Sequence, residues 1–126
     1  SIPAEYGPEC FARIRELLHT QFTDVMWPVE YRTVAADDVW LSMANTRATV
    51  TISVHQDIRQ DEQAYYKACE QIFLEYDGRP HWGKVNYLNG DQLEAAHPNW
   101  HDWWNVRDKA DPGGVFLNEY LRGIRP

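Results

Sequence analysis

The sequence predicts an α+β fold, an antiparallel sheet of about four strands covered on one side by helices. Three observations carry this. Apolar residues recur at helical spacing between Phe11 and Phe22, and again between Tyr65 and Tyr76. Side chains alternate from Val29 to Ala36, and Thr49–His55 is rich in β-branched residues. The resulting order is helix, strands, helix, strand, helices, without the strict strand–helix alternation that builds a parallel sheet.

Pro8 suits the first turn of a helix, and Phe11, Ile14, Leu17, Leu18 and Phe22 give it one apolar face, so a helix is expected over about 8–22. Pro28 forces an extended approach. From Val29 to Ala36, Val29, Tyr31, Thr33 and Ala35 fall on one face and Glu30, Arg32, Val34 and Ala36 on the other. A second short run, Val39–Met43, follows Asp37-Asp38. Thr49–His55 reads as a buried strand. Asp61-Glu62-Gln63 places acids at the positive end of a helix that continues through Tyr65, Tyr66, Cys69, Ile72, Phe73 and Tyr76, and Gly78 stops it. Val85–Leu88 is the fourth strand candidate, ended by Asn89-Gly90. Asp91 is the expected cap of a short helix over Gln92–Ala96, closed by Pro98. Trp100, Trp103, Trp104 and Arg107 give a last helix over Trp100–Lys109, with the three tryptophans as a core stripe. Asp111-Pro112-Gly113-Gly114 is a turn, and Val115–Leu121 a mixed tail.

The 126 residues suffice for one domain, and 44% hydrophobic content is that of a globular chain. A net charge of −7 argues against nucleic acid as a partner, because phosphate binding needs a basic patch. No apolar run reaches the ~20 residues of a membrane span. Cys10 and Cys69 lack a CxxC partner, and free thiols in a reducing cytoplasm are expected rather than a disulfide. The start Ser-Ile-Pro-Ala-Glu carries no signal-peptide pattern and no initiator Met, and reads as part of a longer chain.

Chemistry concentrates in Gly78-Arg79-Pro80-His81-Trp82-Gly83-Lys84. Capable side chains on a loop between rigid elements point to a site. A lysine there stabilises negative charge, a histidine exchanges a proton near neutral pH, and Gly83 lets the backbone approach a ligand. The same stretch also fits a loop whose Trp82 plugs the core. Glu30 and Arg32 share one face of a strand, where a carboxylate and a guanidinium polarise a hydroxyl or form an ordinary solvated ion pair. His55 and Asp57 end the central strand on the face of Thr51 and Ser53, as cleft residues or as satisfied edge positions. His97 and His101 have zinc-ligand spacing, but Pro98 breaks the helix that spacing requires and no third ligand is evident, so no metal site is expected. No Gly-rich phosphate loop or nucleophile elbow is present.

Together these stretches resemble the C-terminal part of the flavin-dependent sugar-lactone and alditol oxidoreductases, the D-arabinono-1,4-lactone oxidase, L-gulono-1,4-lactone oxidase or dehydrogenase, and alditol oxidase family. The resemblance rests on Glu30-Tyr31-Arg32, Ala36-Asp37-Asp38-Val39-Trp40-Leu41-Ser42, Gly78–Lys84, His97-Pro98, Val106-Arg107, Asp111-Pro112 and Phe116–Leu121, in order over about residues 25–123. It implies that the chain is the C-terminal portion of a cap, or substrate, domain whose FAD-binding domain lies elsewhere in the same polypeptide. It implies FAD as cofactor and a sugar lactone or polyol as substrate. Lys84, Arg32 and Glu30 are implied as catalytic, His55, Asp57 and Trp82 as substrate-binding, and His81 and Asn118 as facing the flavin. Three positions depart from the family pattern. His97 stands where Tyr is common, Tyr31 where an aliphatic residue is usual, and Asp57 near the place of an alditol-oxidase Thr, which favours lactones over alditols.

The expected function is therefore hydride transfer from a carbinol carbon to flavin by the whole protein. The chain by itself is expected to be inactive, and to self-associate through apolar surface meant for the FAD domain. A stand-alone sugar- or protein-binding module is the alternative.

Overall fold

The computed structural model describes residues 1–126. Strand β1 (Ile2–Pro3) leads through a 3-10 turn into helix α1 (Gly7–Thr20), and strands β2 (Glu30–Val34) and β3 (Thr49–Ser53) follow. Helices α2 (Gln63–Leu74), α3 (Gly90–Ala96), α4 (Trp100–Ala110) and α5 (Glu119–Gly123) complete the chain. The sheet is antiparallel with order β1-β3-β2. The α+β class and the helix-covered antiparallel sheet agree with the sequence reading.

Three strands form where about four were expected, and the differences have local causes. Val39–Met43 does not pair, because Asp37 turns the chain on itself. Its carboxylate accepts from the Val39 amide (3.1 Å) and the Ser42 hydroxyl (2.6 Å), while its peptide group bonds Ala44 O and Thr46 N. This local network outcompetes a ladder, and Val39 and Trp40 are left exposed. Val85–Leu88 is also unpaired. The Tyr87 amide donates to the Glu70 carboxylate (2.9 Å) and the Leu88 amide to Asn86 Oδ1 (3.3 Å). The missed strand is β1, two residues long and carrying a proline, which an edge tolerates.

Other boundaries shift. β2 and β3 end at Val34 and Ser53, before Ala36 and His55, and α1 ends at Thr20. The cap of α3 is Asn89, not Asp91: Asn89 Oδ1 accepts from the Gln92 amide while Gln92 reaches back to the Asn89 amide, a capping box. Helix α2 stops at Leu74, where Asp77 adopts φ +54° and the Gly78 amide closes on Phe73 O (2.9 Å). Gly78 is required by closeness: a Cβ there would lie 2.5 Å from Phe73 O.

Two cores form. One packs Cys10, Ile14 and Leu17 of α1 and Tyr65, Cys69 and Ile72 of α2 against Val50 and Ile52 of β3. The other gathers Leu88, Leu93, Trp100, Trp104, Leu117 and Ile124 around α3, α4 and α5. Cys10 and Cys69 are free and buried in the first, and burial raises their thiols to about 11 and about 12. No helix is long and apolar enough to cross a membrane.

Gly78→Ala is expected to destabilise the chain by about 1–3 kcal/mol, since the new methyl meets backbone that cannot yield cheaply. An unchanged midpoint of denaturant unfolding would contradict this packing.

Candidate active site

The β2–β3 register divides the sheet into two faces. Glu30 lies opposite Ser53 and Arg32 opposite Thr51, while the intervening pairs Tyr31–Ile52 and Thr33–Val50 fall on the other face. The second face meets the helices, as the edge-on contact of Tyr31 with Phe11 of α1 shows (5.6 Å, 90°). The first carries the polar side chains. On it Arg32 Nη2 donates to Glu30 Oε2 (2.7 Å), and His55 Nε2 stands 3.9 Å from the same oxygen. These side chains are all partly open to solvent.

A cleft of about 270 Å³ opens beside them. Thr51 and Ser53 line it from β3 and His55 from just beyond the strand, Tyr66, Glu70 and Phe73 from α2, and Arg79, His81 and Lys84 from the loop after α2. The loop is brought to the sheet by exchanged backbone bonds: Arg79 N donates to Ser1 O (2.8 Å) and Ser1 N to Arg79 O (2.9 Å). Ser1 in turn bonds Thr51 through its hydroxyl (2.8 Å). The turn itself is closed by Lys84 N to His81 O and by Gly83 N to His81 Nδ1, both 2.9 Å. His55, His81 and Lys84 thus line one cleft, while Glu30 and Arg32 do not line it and are linked to it through His55. Lys84 has no carboxylate within 4 Å.

Three other expected site residues are turned elsewhere. Asp57 is held by Arg59 through two side-chain bonds (2.6 and 2.9 Å) and the Arg59 amide (2.9 Å), which keep its carboxyl below the usual range. Asn118 caps α5, its Oδ1 accepting from the Leu121 amide (2.8 Å). Trp82 points away from the cleft, toward His97 (5.5 Å) and Trp100 (6.2 Å), and its Nε1 donates to Leu41 O (2.8 Å). Asp111, of the closing Asp-Pro motif, accepts from the Val115 and Phe116 amides and pairs with Arg107. That motif staples the tail.

His97 and His101 do not converge. His97 caps α3 and is buried, while His101 pairs with Glu94 (2.9 Å). Sequence reasoning missed Arg79 as a cleft residue. It is 7% exposed, and its Nη1 donates to Asn45 O (2.9 Å). Its place in the Gly78–Lys84 stretch was the only signal.

A family profile described as D-arabinono-1,4-lactone oxidase matches residues 1–124. The chain belongs to this family. Among its relatives, L-gulono-1,4-lactone dehydrogenase of Mycobacterium tuberculosis is 40% identical over 124 residues, 98% of this chain and 29% of the relative. Mouse L-gulonolactone oxidase is 31% identical over 129 residues, again 98% and 29%. Alditol oxidase of a Streptomyces species is 34% identical over 103 residues, 79% and 24%. The chain thus spans about 29% of the length of the lactone-acting relatives it matches. The lactone-oxidase resemblance read from Glu30-Tyr31-Arg32 and Gly78–Lys84 is confirmed at family level.

His97 gives this site a pH signature. Burial first, then the Arg79 and Arg47 guanidiniums, push its imidazole down from 6.5 to about 4. Between those values the unfolded chain binds a proton that the fold does not. Stability is therefore full above about pH 6.5 and falls as pH drops through the window, by on the order of 3 kcal/mol in all. His97→Phe is expected to flatten unfolding free energy between pH 6.5 and 4.5. An unaltered acid slope would contradict a neutral His97.

Proposed function

We propose that this chain is the substrate-binding part of an FAD-dependent oxidoreductase that dehydrogenates a carbinol carbon of a sugar-1,4-lactone. The observation that supports the reading is a cleft lined by His55, His81 and Lys84 beside the Glu30–Arg32 pair in a chain of this family. FAD, held by a domain outside this chain, supplies the acceptor for the hydride. The residues present fit such a group. Lys84 and His81 stand exposed on a turn at the cleft, with no carboxylate paired to the lysine, so both are free to face an electron-rich ring.

The chain's own chemistry follows from charge. As a substrate hydroxyl loses its proton, negative charge grows on oxygen. Lys84 in the cleft and Arg32 beside it are the exposed cations proposed to meet it, Arg79 being buried and bonded to Asn45 O, and such preorganised charge is commonly the largest catalytic contribution. Glu30 fixes the direction of the Arg32 guanidinium through their 2.7 Å bond and offers its remaining acceptor capacity to substrate hydroxyls. His55, 3.9 Å from Glu30, and the hydroxyls of Thr51 and Ser53 extend the polar wall. A lactone is favoured over a linear alditol. The relatives matched over 98% of the chain are named for lactones, and with Asp57 held by Arg59 outside the cleft the preference rests on them. The 126 residues alone are expected to be inactive, and two buried free thiols suit a reducing cytoplasm.

In the intact protein, Lys84→Ala and Arg32→Ala are each expected to slow flavin reduction by a sugar-1,4-lactone by about 100–1,000-fold, the scale of losing one oxyanion-stabilising group. Stopped-flow absorbance of the flavin measures this. Rates within twofold of the unaltered protein would remove both residues from the mechanism.

A further inference from the structure

We propose that His97 is a positioning residue, acting through Trp82 to hold the turn that carries His81 and Lys84. The proposal rests on the functional reading above, and its test separates the two.

The turn has few ties of its own. Residues 81–85 are exposed, and two of the three hydrogen bonds made by residues 81–84 are internal, Lys84 N to His81 O and Gly83 N to His81 Nδ1. The third leaves the turn: Trp82 Nε1 to Leu41 O (2.8 Å). Trp82 is also its aromatic anchor. The indole lies near-parallel to Trp100 (6.2 Å, 17°) and tilted on His97 (5.5 Å, 33°), and His97 in turn lies near-parallel to Trp100 (6.4 Å, 21°). Three flat rings therefore pack mutually, and such offset arrangements are favoured beyond the area they bury.

His97 and Trp100 are both buried, and they form the fixed base on which the exposed turn rests its indole. His97 is 2% exposed and sits at the joint of α3 and α4. Its amide bonds Leu93 O (3.1 Å) and its carbonyl accepts from the Trp100 amide (3.1 Å). Neither ring nitrogen hydrogen-bonds to protein, so the ring contributes its flat surface and not its polarity. Removing that surface opens space beneath Trp82. Since Trp82 is one residue from His81 and two from Lys84, a shift of the indole moves both. A misplacement of about 1 Å at a reacting group costs up to about 100-fold in rate.

The test uses the intact flavoprotein. His97→Ala is expected to lower the limiting rate of flavin reduction by a sugar-1,4-lactone by about 10–100-fold, with the half-saturating concentration changed less than about twofold. His97→Phe, which keeps the ring, is expected to stay within about twofold of the unaltered rate. Trp82→Ala should slow the rate similarly, and the double variant should be no slower than Trp82→Ala alone, since both changes break one linkage. A second readout needs no turnover. Hydrogen exchange at the Trp82 indole N–H, followed by NMR of protein labelled at tryptophan, should quicken at least about tenfold in His97→Ala and remain unchanged in His97→Phe. A normal rate in His97→Ala, a His97→Phe as slow as His97→Ala, or additive losses in the double variant would overturn the proposal. If a lactone reduces no flavin in the unaltered protein, the functional reading fails, and indole exchange alone decides: equal exchange with and without the His97 ring overturns the positioning role. Should His97→Ala not fold, Trp82→Leu takes its place, and an unaltered rate and half-saturation there overturn it equally.

Discussion

The register between β2 and β3 is the constraint on which the rest of the structure depends. Five paired positions, from Glu30–Ser53 to Val34–Thr49, put Glu30, Arg32, Thr51 and Ser53 on one side and Tyr31, Val50 and Ile52 on the other. Side chains alternate with period two, so a slip of one residue would put Arg32 on the same face as Val50 and Ile52, either sending those two into water or driving Arg32 under the helices. The apolar cost of that slip is what fixes the polar face. The core between the sheet, α1 and α2 thus does more than stabilise: it determines that a carboxylate, a guanidinium and two hydroxyls stand together.

The second half of the site comes from a different layer. The loop after α2 leaves the helix at Asp77 and Gly78, meets Ser1 through exchanged backbone bonds, and presents His81 and Lys84 across the cleft from β3. Its far end is tied to the second core through Trp82, whose indole packs with His97 and Trp100. The cleft therefore lies between two cores, with the sheet face belonging to one and the loop anchored on the other. Groups drawn from rigid elements on both sides suit a site that must hold charge in a set geometry.

Much of this was legible in the sequence, for physical reasons that differ by residue. The same-face pairing of Glu30 and Arg32 follows from strand alternation alone, and the Gly78–Lys84 stretch declared itself by spending capable side chains on a loop. The helices were legible because their apolar spacing reports directly on burial. Val39–Met43 misled because its β-propensity is real, yet Asp37 supplies local hydrogen bonds that compete with pairing. Trp82 could face either side of its turn, and only the positions of α3 and α4 decide it. The sequence leaves Asp57 open between a cleft residue and a satisfied edge position, because nothing in it shows that Arg59, two residues on, folds back on the carboxylate. Arg79 was hidden inside the motif that announced its neighbours.

The central claim is that the polar face of β2–β3 and the 81–84 turn form the two walls of one substrate site. The most direct measurement is a crystal structure of the intact flavoprotein with a sugar-1,4-lactone bound. A lactone hydroxyl is expected within about 3.2 Å of Lys84 Nζ, with Arg32 or Glu30 within the same reach of the ligand. A lactone bound elsewhere, with Lys84 and Arg32 both turned to solvent, would contradict it.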